Sequence, residues 1–461
     1  MSVTSWQFFA LLGATLLVLL SVPASWRKPV LLAASILFYL NAGIASAIVI
    51  ALLVTANYFF MMGTVRGTTE KLRDRIYVAS MLFNAVVFCT LKLSFEPAPN
   101  VAATSWSVLG YSVGYPLGLS FIILMLHGAI TDAHSGRHVP DGKFSTFALF
   151  SSFFPYVSAG PVERLERMEG ALNLPVRPVA DDVRAGASLM LLGLIKKLAV
   201  ANRLKPYVDS GFDMTAQHSA PTMLIVIALN AAYIYCDFSG YTDIARGAAR
   251  CLGFDIQINF ARPFGASSVT EFWRRWHISF SNWLRDYLYM PVAFMFRRFR
   301  VTGTSIALLI TFTLCGFWHR AAWTFLLFGL LHGAAMVVEM KLGIAQKRPT
   351  SKLRLAVAHL YTLIFLGATI VLFSAGTLTE AGSVFRRTLT GALIPSPAEF
   401  LGYRGPVMFG LMSAGLIYWQ IFERWQARLT PRSTKYFLLI GALIVLFFGQ
   451  TEGADFIYAK F

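Results

Sequence analysis

Hydrophobic positions in this chain gather into long runs, and polar positions into short, mostly basic connections between them. Residues 1–26, 29–65, 97–131, 214–236 and 355–379 contain no Asp, Glu, Lys or Arg. Each of these runs is long enough to cross roughly 30 Å of hydrocarbon as a helix. Apolar segments fall at about 3–25, 29–40, 44–65, 76–92, 109–131, 144–162, 185–205, 219–237, 303–318, 321–340, 355–379, 405–422 and 436–451. The pattern predicts roughly eleven to thirteen membrane segments, re-entrant helices included. Alternation with a two-residue period is absent, which excludes a β-barrel. The expected fold is an all-α polytopic membrane protein, one integral-membrane domain over residues 1–461, since no polar stretch is long enough to fold apart from it. The mixed stretches 163–184, 244–302 and 380–404 are predicted as loops or interfacial helices, and no internal repeat is visible.

The basic loops orient the segments. Arg27-Lys28 on one side and Arg66, Lys71, Arg73 and Arg75 on the other flank residues 29–65. They predict a hairpin that turns near Asn41-Ala42-Gly43 with both ends in the cytoplasm and the N-terminus outside. The loop 93–110, with the single acid Glu96, is then external, and Asp132 to Lys143 is cytoplasmic. Arg297-Arg298-Arg300, Lys347-Arg348-Lys352-Arg354 and Arg424-Arg428-Arg432-Lys435 read as cytoplasmic anchors.

Composition agrees. Charged residues make up 14% of the chain, against roughly 25% in a soluble domain, and the mean hydropathy is +0.60. Disordered, coiled-coil and water-soluble globular classes are excluded. The net charge of +17 sits in the loops, where it carries topology and does not indicate nucleic acid. Cys89, Cys236, Cys251 and Cys315 form no CxxC pair, so neither a disulfide framework nor a zinc site is indicated. The first apolar stretch lacks a basic leader and runs into the second span, unlike a cleavable signal peptide.

A charge at the bilayer centre costs about 2.5–3.5 kcal/mol on insertion scales, so ionisable groups inside apolar runs are the candidates for chemistry. His134, His138 and His218 lie in loops or near segment ends, and His127 and His359 suit satisfied packing roles. His332 stands about 11 residues into the span that begins at Ala321, roughly 16 Å deep and near the midplane. Gly329 and Gly333 bracket it, leaving backbone open on its side, and their spacing fits a close helix–helix contact. Burial there favours the neutral imidazole, which can accept a proton. On these residues alone, a catalytic or relay histidine and a hydrogen-bonded packing histidine are equally supported.

Between Val269 and Tyr289, Trp273, Trp276 and Trp283 alternate with Glu271, Arg274, Arg275, His277, Arg285 and Asp286. That density suits an interfacial or re-entrant amphipathic helix with snorkelling arginines, starting at Thr270 and Glu271. His277 and Asp286 suit the lining of a polar chamber equally well. Asp237 and Tyr241 share a face if their helix continues, and Asp237 and Asp243 are expected to orient the arginines of 274–285 by ion pairing. No P-loop lysine, GxSxG elbow, HExxH or other zinc-ligand spacing is present. The chemistry is therefore expected to rest on histidine, with no metal and no tightly bound cofactor.

Several motifs are jointly specific. Tyr235-Cys-Asp-Phe-Ser-Gly-Tyr-Thr-Asp-Ile-Ala-Arg-Gly, Leu252-Gly-Phe with Asn259-Phe-x-x-Pro263-Phe, Glu271-Phe-Trp-Arg-Arg-Trp-His277-Ile-Ser, Leu284-Arg-Asp-Tyr-Leu-Tyr289, Gly316-Phe-Trp-His319 and Leu331-His332-Gly333 occur in order. This set resembles the membrane-bound O-acyltransferase family, in its bacterial branch of alginate O-acetyltransferases and teichoic acid D-alanyl transferases. Pro116-Leu-Gly-Leu-Ser-Phe121, Phe153-Phe-Pro155 and Ala159-Gly-Pro161 extend the match, which covers about residues 110–340.

The resemblance implies a funnel through which a cytoplasmic acyl thioester, acetyl-CoA or an acyl carrier, approaches a buried histidine. That histidine maps to His332 and the Arg-Trp-His histidine to His277, with His319, Asp286, Arg285, Trp276 and Asp237 in support. His332 would be the general base for the acceptor hydroxyl. His277, or Trp and Asn side chains nearby, would hold the acceptor or the developing oxyanion. The resemblance further implies the bacterial inner membrane, O-acetylation of an exported polysaccharide, and extracytoplasmic protein partners that finish the transfer.

Two departures bear on the substrate. The family's Trp-His-Gly-Ala is here Trp318-His319-Arg320-Ala321, which sets a cation beside His319. Met290-Pro-Val-Ala-Phe-Met-Phe-Arg-Arg replaces a Gly-Gly-Asn loop, which is similar to the D-alanyl branch, whereas Phe456-Ile-Tyr-Ala-Lys-Phe461 is similar to the acetyltransferases. D-Alanyl transfer fed by a carrier protein is the alternative within the fold. A secondary transporter or flippase is the alternative outside it, and the matched broken helices of repeated halves are lacking.

Overall fold

The structure is a computed structural model that describes residues 2–95, 106–108, 111–113, 115–158, 160–173, 178–344, 351–403, 405–407, 410 and 431–450. Glu96, Ala159, Lys347-Arg348, most of the predicted segment 405–422, Arg424, Arg428 and Phe456 to Phe461 lie outside the described residues.

The described parts of the uncharged runs are largely helical. In order the helices are α1 (Trp6–Ser21), α2 (Arg27–Ala42), α3 (Ile44–Arg66), α4 (Glu70–Phe95), α5 (Leu119–His134), α6 (Phe144–Ser152), α7 (Leu165–Asn173), α8 (Ala180–Leu194), α9 (Asn202–Asp213) and α10 (Ala220–Cys251). They are followed by α11 (Val269–Trp273), α12 (Ile278–Leu284), α13 (Met290–Met295), α14 (Arg300–His319), α15 (Trp323–Lys341), α16 (Lys352–Ser374) and α17 (Leu378–Thr390), with a further helix at Pro431–Phe448. The turn predicted at Asn41-Ala42-Gly43 is the joint between α2 and α3, where Gly43 takes φ 130°. A short antiparallel pair, β1 (Trp106–Val108) and β2 (Tyr111–Val113), is a local exception to the all-helical expectation.

Among the described residues, six helices are long and apolar enough to cross a membrane, and three shorter apolar helices accompany them. The hydrophobic runs suggest more; one of them, 405–422, lies mostly outside the described residues, and others are interrupted. The run 144–162 is helical only to Ser152, since Phe153 turns out to ψ 108°, just ahead of the Phe154-Pro155 step that disfavours helix. The run 185–205 is divided by a π-helical segment, Ile195–Ala201.

The chain clusters into two compact units, residues 1–192 with 241–258, and residues 193–240 with 259–457. In the first, Phe8, Phe38 and Phe154 form an aromatic core with centroids 5.8–6.4 Å apart. Asn57 on α3 and Asn84 on α4 exchange amide hydrogen bonds of 3.0 and 2.7 Å, so two polar groups inside apolar helices satisfy each other. Arg27 is more than an anchor: it donates to the carbonyls of Ala171 and Gly253 and lies 4.4 Å over the Phe254 ring.

In the second unit, α14 and α15 pack backbone to backbone. A Cβ on Gly316 would stand 2.0 Å from the Phe325 carbonyl oxygen, and one on Gly329 2.0 Å from that of Phe312. Only glycine allows this approach. The close contact expected of Gly329 and Gly333 is therefore present, but the open backbone expected beside His332 is not, because α14 fills that side.

Candidate functional site

The site is built on the segment that follows α10. The run 269–289 is not one amphipathic helix: α11 ends at Trp273, α12 begins at Ile278, and a π-helical turn over Arg285–Tyr289 leads into α13. The N-cap of α11 is Ser268, two residues ahead of Thr270. The Ser268 hydroxyl accepts the Glu271 N–H at 3.0 Å, and the Glu271 carboxylate accepts the Ser267 N–H and hydroxyl, both at 2.7 Å. This is a reciprocal cap. Burial pushes the Glu271 carboxyl up, but the Ser267 donors and the Arg275 guanidinium, 2.5 Å away, outweigh it and hold the group below its ordinary range.

The break falls on His277, which takes φ 45°, ψ 52°. A side-chain-bearing residue in this left-handed region is strained by about 1–3 kcal/mol and persists only where its surroundings fix it. Here the Asn259 carbonyl accepts the Ile278 N–H at 2.9 Å, and the Asn259 carboxamide oxygen accepts the Ser279 N–H and hydroxyl at 3.3 and 2.6 Å. Trp276 stacks on Phe272 and meets Phe260 edge-on. The His277 ring is thereby set between Phe238 and Phe280, 4.7 and 4.8 Å away.

His319, at the end of α14, lies 6.1 Å from Phe280 and 5.3 Å from Phe373. His332 occupies the middle of α15. The Trp273 indole N–H donates to its Nδ1 at 3.1 Å, and its Nε2 lies 3.1 Å from the Thr369 hydroxyl of α16. An indole only donates, so Nδ1 carries the lone pair and Nε2 the proton, a tautomer assigned from the hydrogen bonds. Phe328 meets His332 at 4.4 Å and Phe373 at 5.4 Å. A continuous set of rings therefore joins His332, Phe328, Phe373, His319, Phe280 and His277. The histidines are 1%, 3% and 1% exposed in the order His332, His319, His277.

The other expected residues divide. Trp276 belongs to the aromatic nest that carries His277. Asp237 is buried and receives the Lys197 ammonium at 2.5 Å. Asp243 lies 4.0 Å from Arg246. Arg275 pairs with Glu271, and the exposed Arg285 with its own neighbour Asp286 at 2.8 Å. The ion pairs expected between these aspartates and the arginines of 274–285 give way to local partners, since the π-helical segment carries Lys197 against Asp237. The helix through Asp237 and Tyr241 does continue, and the Tyr241 hydroxyl bonds to Ser158. Among the described residues, no cluster of His, Cys, Asp and Glu is arranged to hold a metal ion.

Sequence reasoning missed Thr369, Phe280, Phe373 and Glu339. Glu339 was legible by the rule that singled out His332, an ionisable group inside an apolar run; it is fully buried on α15.

The model of the family described as MBOAT, membrane-bound O-acyltransferase, matches residues 31–373. A probable alginate O-acetylase of Azotobacter vinelandii is 32% identical over 349 residues, 74% of this chain and 69% of that protein. A peptidoglycan O-acetyltransferase of Helicobacter pylori is 33% identical over 249 residues, 53% of this chain and 46% of the relative. A teichoic acid D-alanyltransferase of Streptococcus thermophilus is 27% identical over 281 residues, covering 58% and 65%. The chain thus spans about half to two thirds of the length of the relatives it matches.

Proposed function

The chain belongs to the membrane-bound O-acyltransferase family, and on that premise we propose that it transfers an acyl group, acetyl in the first instance, from a cytoplasmic thioester for O-acylation of an exported polysaccharide. The bacterial inner membrane is the proposed location, and an extracytoplasmic protein that completes the modification is the proposed partner. Higher identity to the two O-acetyltransferases than to the D-alanyltransferase favours acetate.

The observation that carries the mechanism is the placement of His277 and His319 against the same Phe280 ring, 4.8 and 6.1 Å from it. One imidazole of this pair takes the proton from the acceptor hydroxyl as its oxygen attacks the thioester carbonyl carbon. The C–S bond then breaks, and the imidazolium returns the proton to the departing sulfur. His332, the base that the resemblance implies, has both nitrogens engaged by Trp273 and Thr369. In this scheme it positions its neighbours and acts as a base only if the Trp273 bond is first broken.

Purified protein given a radiolabelled acetyl thioester and an acceptor glycan tests the assignment. His277→Asn is the apt variant, because Asn tolerates the left-handed backbone. It and His319→Ala should lose transfer by about 10²–10⁴-fold, with His332→Ala less impaired. Loss confined to His332→Ala would return the base to that residue. Ester-linked acetate and D-alanine, measured in envelope polymers after gene deletion, separate the two acyl groups. Uptake into proteoliposomes without ester formation would mark a transporter.

A further inference from the structure

We propose that Glu339 is a positioning residue that anchors the histidine-bearing segment, a role that rests on the reading of the histidine cluster as the reacting centre. Glu339 lies on α15 about two turns beyond His332 and is 0% exposed. Its carboxylate accepts the N–H of Val269 at 2.6 Å, the N–H of Thr270 at 2.9 Å and the Thr270 hydroxyl at 2.7 Å.

A buried carboxylate is retained only where donors replace its lost water. Here those donors are the first amides of α11. That helix is five residues long, too short to form by its own propensity, so its placement depends on what holds its ends. Ser268 and Glu271 close its first turn from within. Glu339 is the bond that ties the turn to another helix. The amides it binds present the positive end of the α11 dipole, which suits a carboxylate.

The consequence reaches the site through both ends of α11. Glu339 fixes where α11 begins, and at the other end of α11 the Trp273 indole reaches back to His332 on the same α15. His277 follows shortly after. The third helix at the site is α16, whose Phe365 and Thr369 meet His332. Without the Glu339 tether, α11 is free to shift along α15, and both the Trp273–His332 bond and the placement of His277 shift with it.

The test uses the full-length protein in detergent, with two readouts. The first is acyl transfer. Glu339→Gln keeps the shape but turns an amide NH2 toward one of the two backbone N–H donors, and it should lower kcat by about ten- to a hundredfold with KM within about twofold. Trp273→Phe should also lower kcat, and the double variant should be no slower than the slower single one, since both act on the same contact. The second readout needs no activity: carbethoxylation of His332 by diethylpyrocarbonate, read by peptide mass spectrometry with His134 as internal reference. His332 should resist the reagent in the parent protein and become reactive in Glu339→Gln and in Trp273→Phe. Thr270→Val, which removes one bond to Glu339, should move both readouts the same way by a smaller factor, and it serves if Glu339→Gln does not fold. Parental kcat and unchanged His332 protection in a folded Glu339→Gln protein would overturn the role, as would strictly multiplicative losses in the double variant. Absence of transfer in the parent would count against the proposed function, while the His332 labelling would still report on Glu339.

Discussion

The Trp273 indole nitrogen stands 3.1 Å from Nδ1 of His332, and because an indole can only donate, the contact decides which imidazole nitrogen holds the proton. The other nitrogen is then a buried donor whose acceptor is Thr369. Thr369→Val should leave that donor unsatisfied, at a cost of about 1–3 kcal/mol, and lower the melting temperature in detergent. Thr369→Ser should behave as the parent. Equal melting of Thr369→Val and the parent would mean that Nε2 does not donate to Thr369.

Packing of α14 on α15 leaves no room for a methyl group at two places. Gly316→Ala and Gly329→Ala each drive a Cβ to 2.0 Å from a carbonyl oxygen, and overpacking of this kind costs about 1–3 kcal/mol or more. Gly382→Ala on α17, with nothing within 4 Å, is the control and should be neutral or stabilising by about 0.5–1 kcal/mol. Comparable melting of all three variants would show that the helix pair yields more readily than its geometry implies.

Lys197 and Asp237 form a buried ion pair at 2.5 Å, with side chains 5% and 0% exposed. Removing one member strands the other charge, so Lys197→Met should cost about 3–5 kcal/mol. The double change Lys197→Met with Asp237→Leu should recover much of that loss. The pair is not structurally coupled if the double variant is as unstable as the sum of the singles.

Glu271 is held below its ordinary range in the folded protein. A carboxyl depressed on folding stabilises the protein above its unfolded pKa, about 4.3, and loses that contribution as pH falls through the folded value. Melting of the parent should therefore drop on acidification below about pH 4.3, and melting of Glu271→Gln should drop less. Parallel pH profiles for the two proteins would count against a net contribution from this cap.

The helices and the Gly43 turn were legible because they depend on local composition: uncharged runs must satisfy their backbone within themselves, and a joint between helices needs a residue that accepts positive φ. The depth of His332 was legible for the same reason. Its hydrogen bonds were not, since Trp273 and Thr369 arrive from α11 and α16. The break at His277 was equally hidden: nothing in Arg-Arg-Trp-His-Ile-Ser disfavours helix, and the left-handed turn exists because Asn259, on a separate strand of chain, captures the amides that follow. Asp237 was assigned arginine partners because no helical pattern places Lys197 opposite it; the π-helical segment does.

The segments Ile195–Ala201 and Arg285–Tyr289 are wound more widely than an α-helix, so each holds roughly one residue of surplus chain. A single-codon deletion in Ile195–Ala201 would relax the wide turn to an α-helix and leave the helix beyond it facing as it does now; what it would undo is the placement of Lys197 against Asp237. Asn202 and Arg203, just after the turn, would keep the carbonyls of Gln450 and Phe448, which they now hold at 2.6 Å each, and the helix Pro431–Phe448 would keep its mooring. The surplus residue of the first segment therefore serves the buried ion pair, not the mooring of the helix that follows.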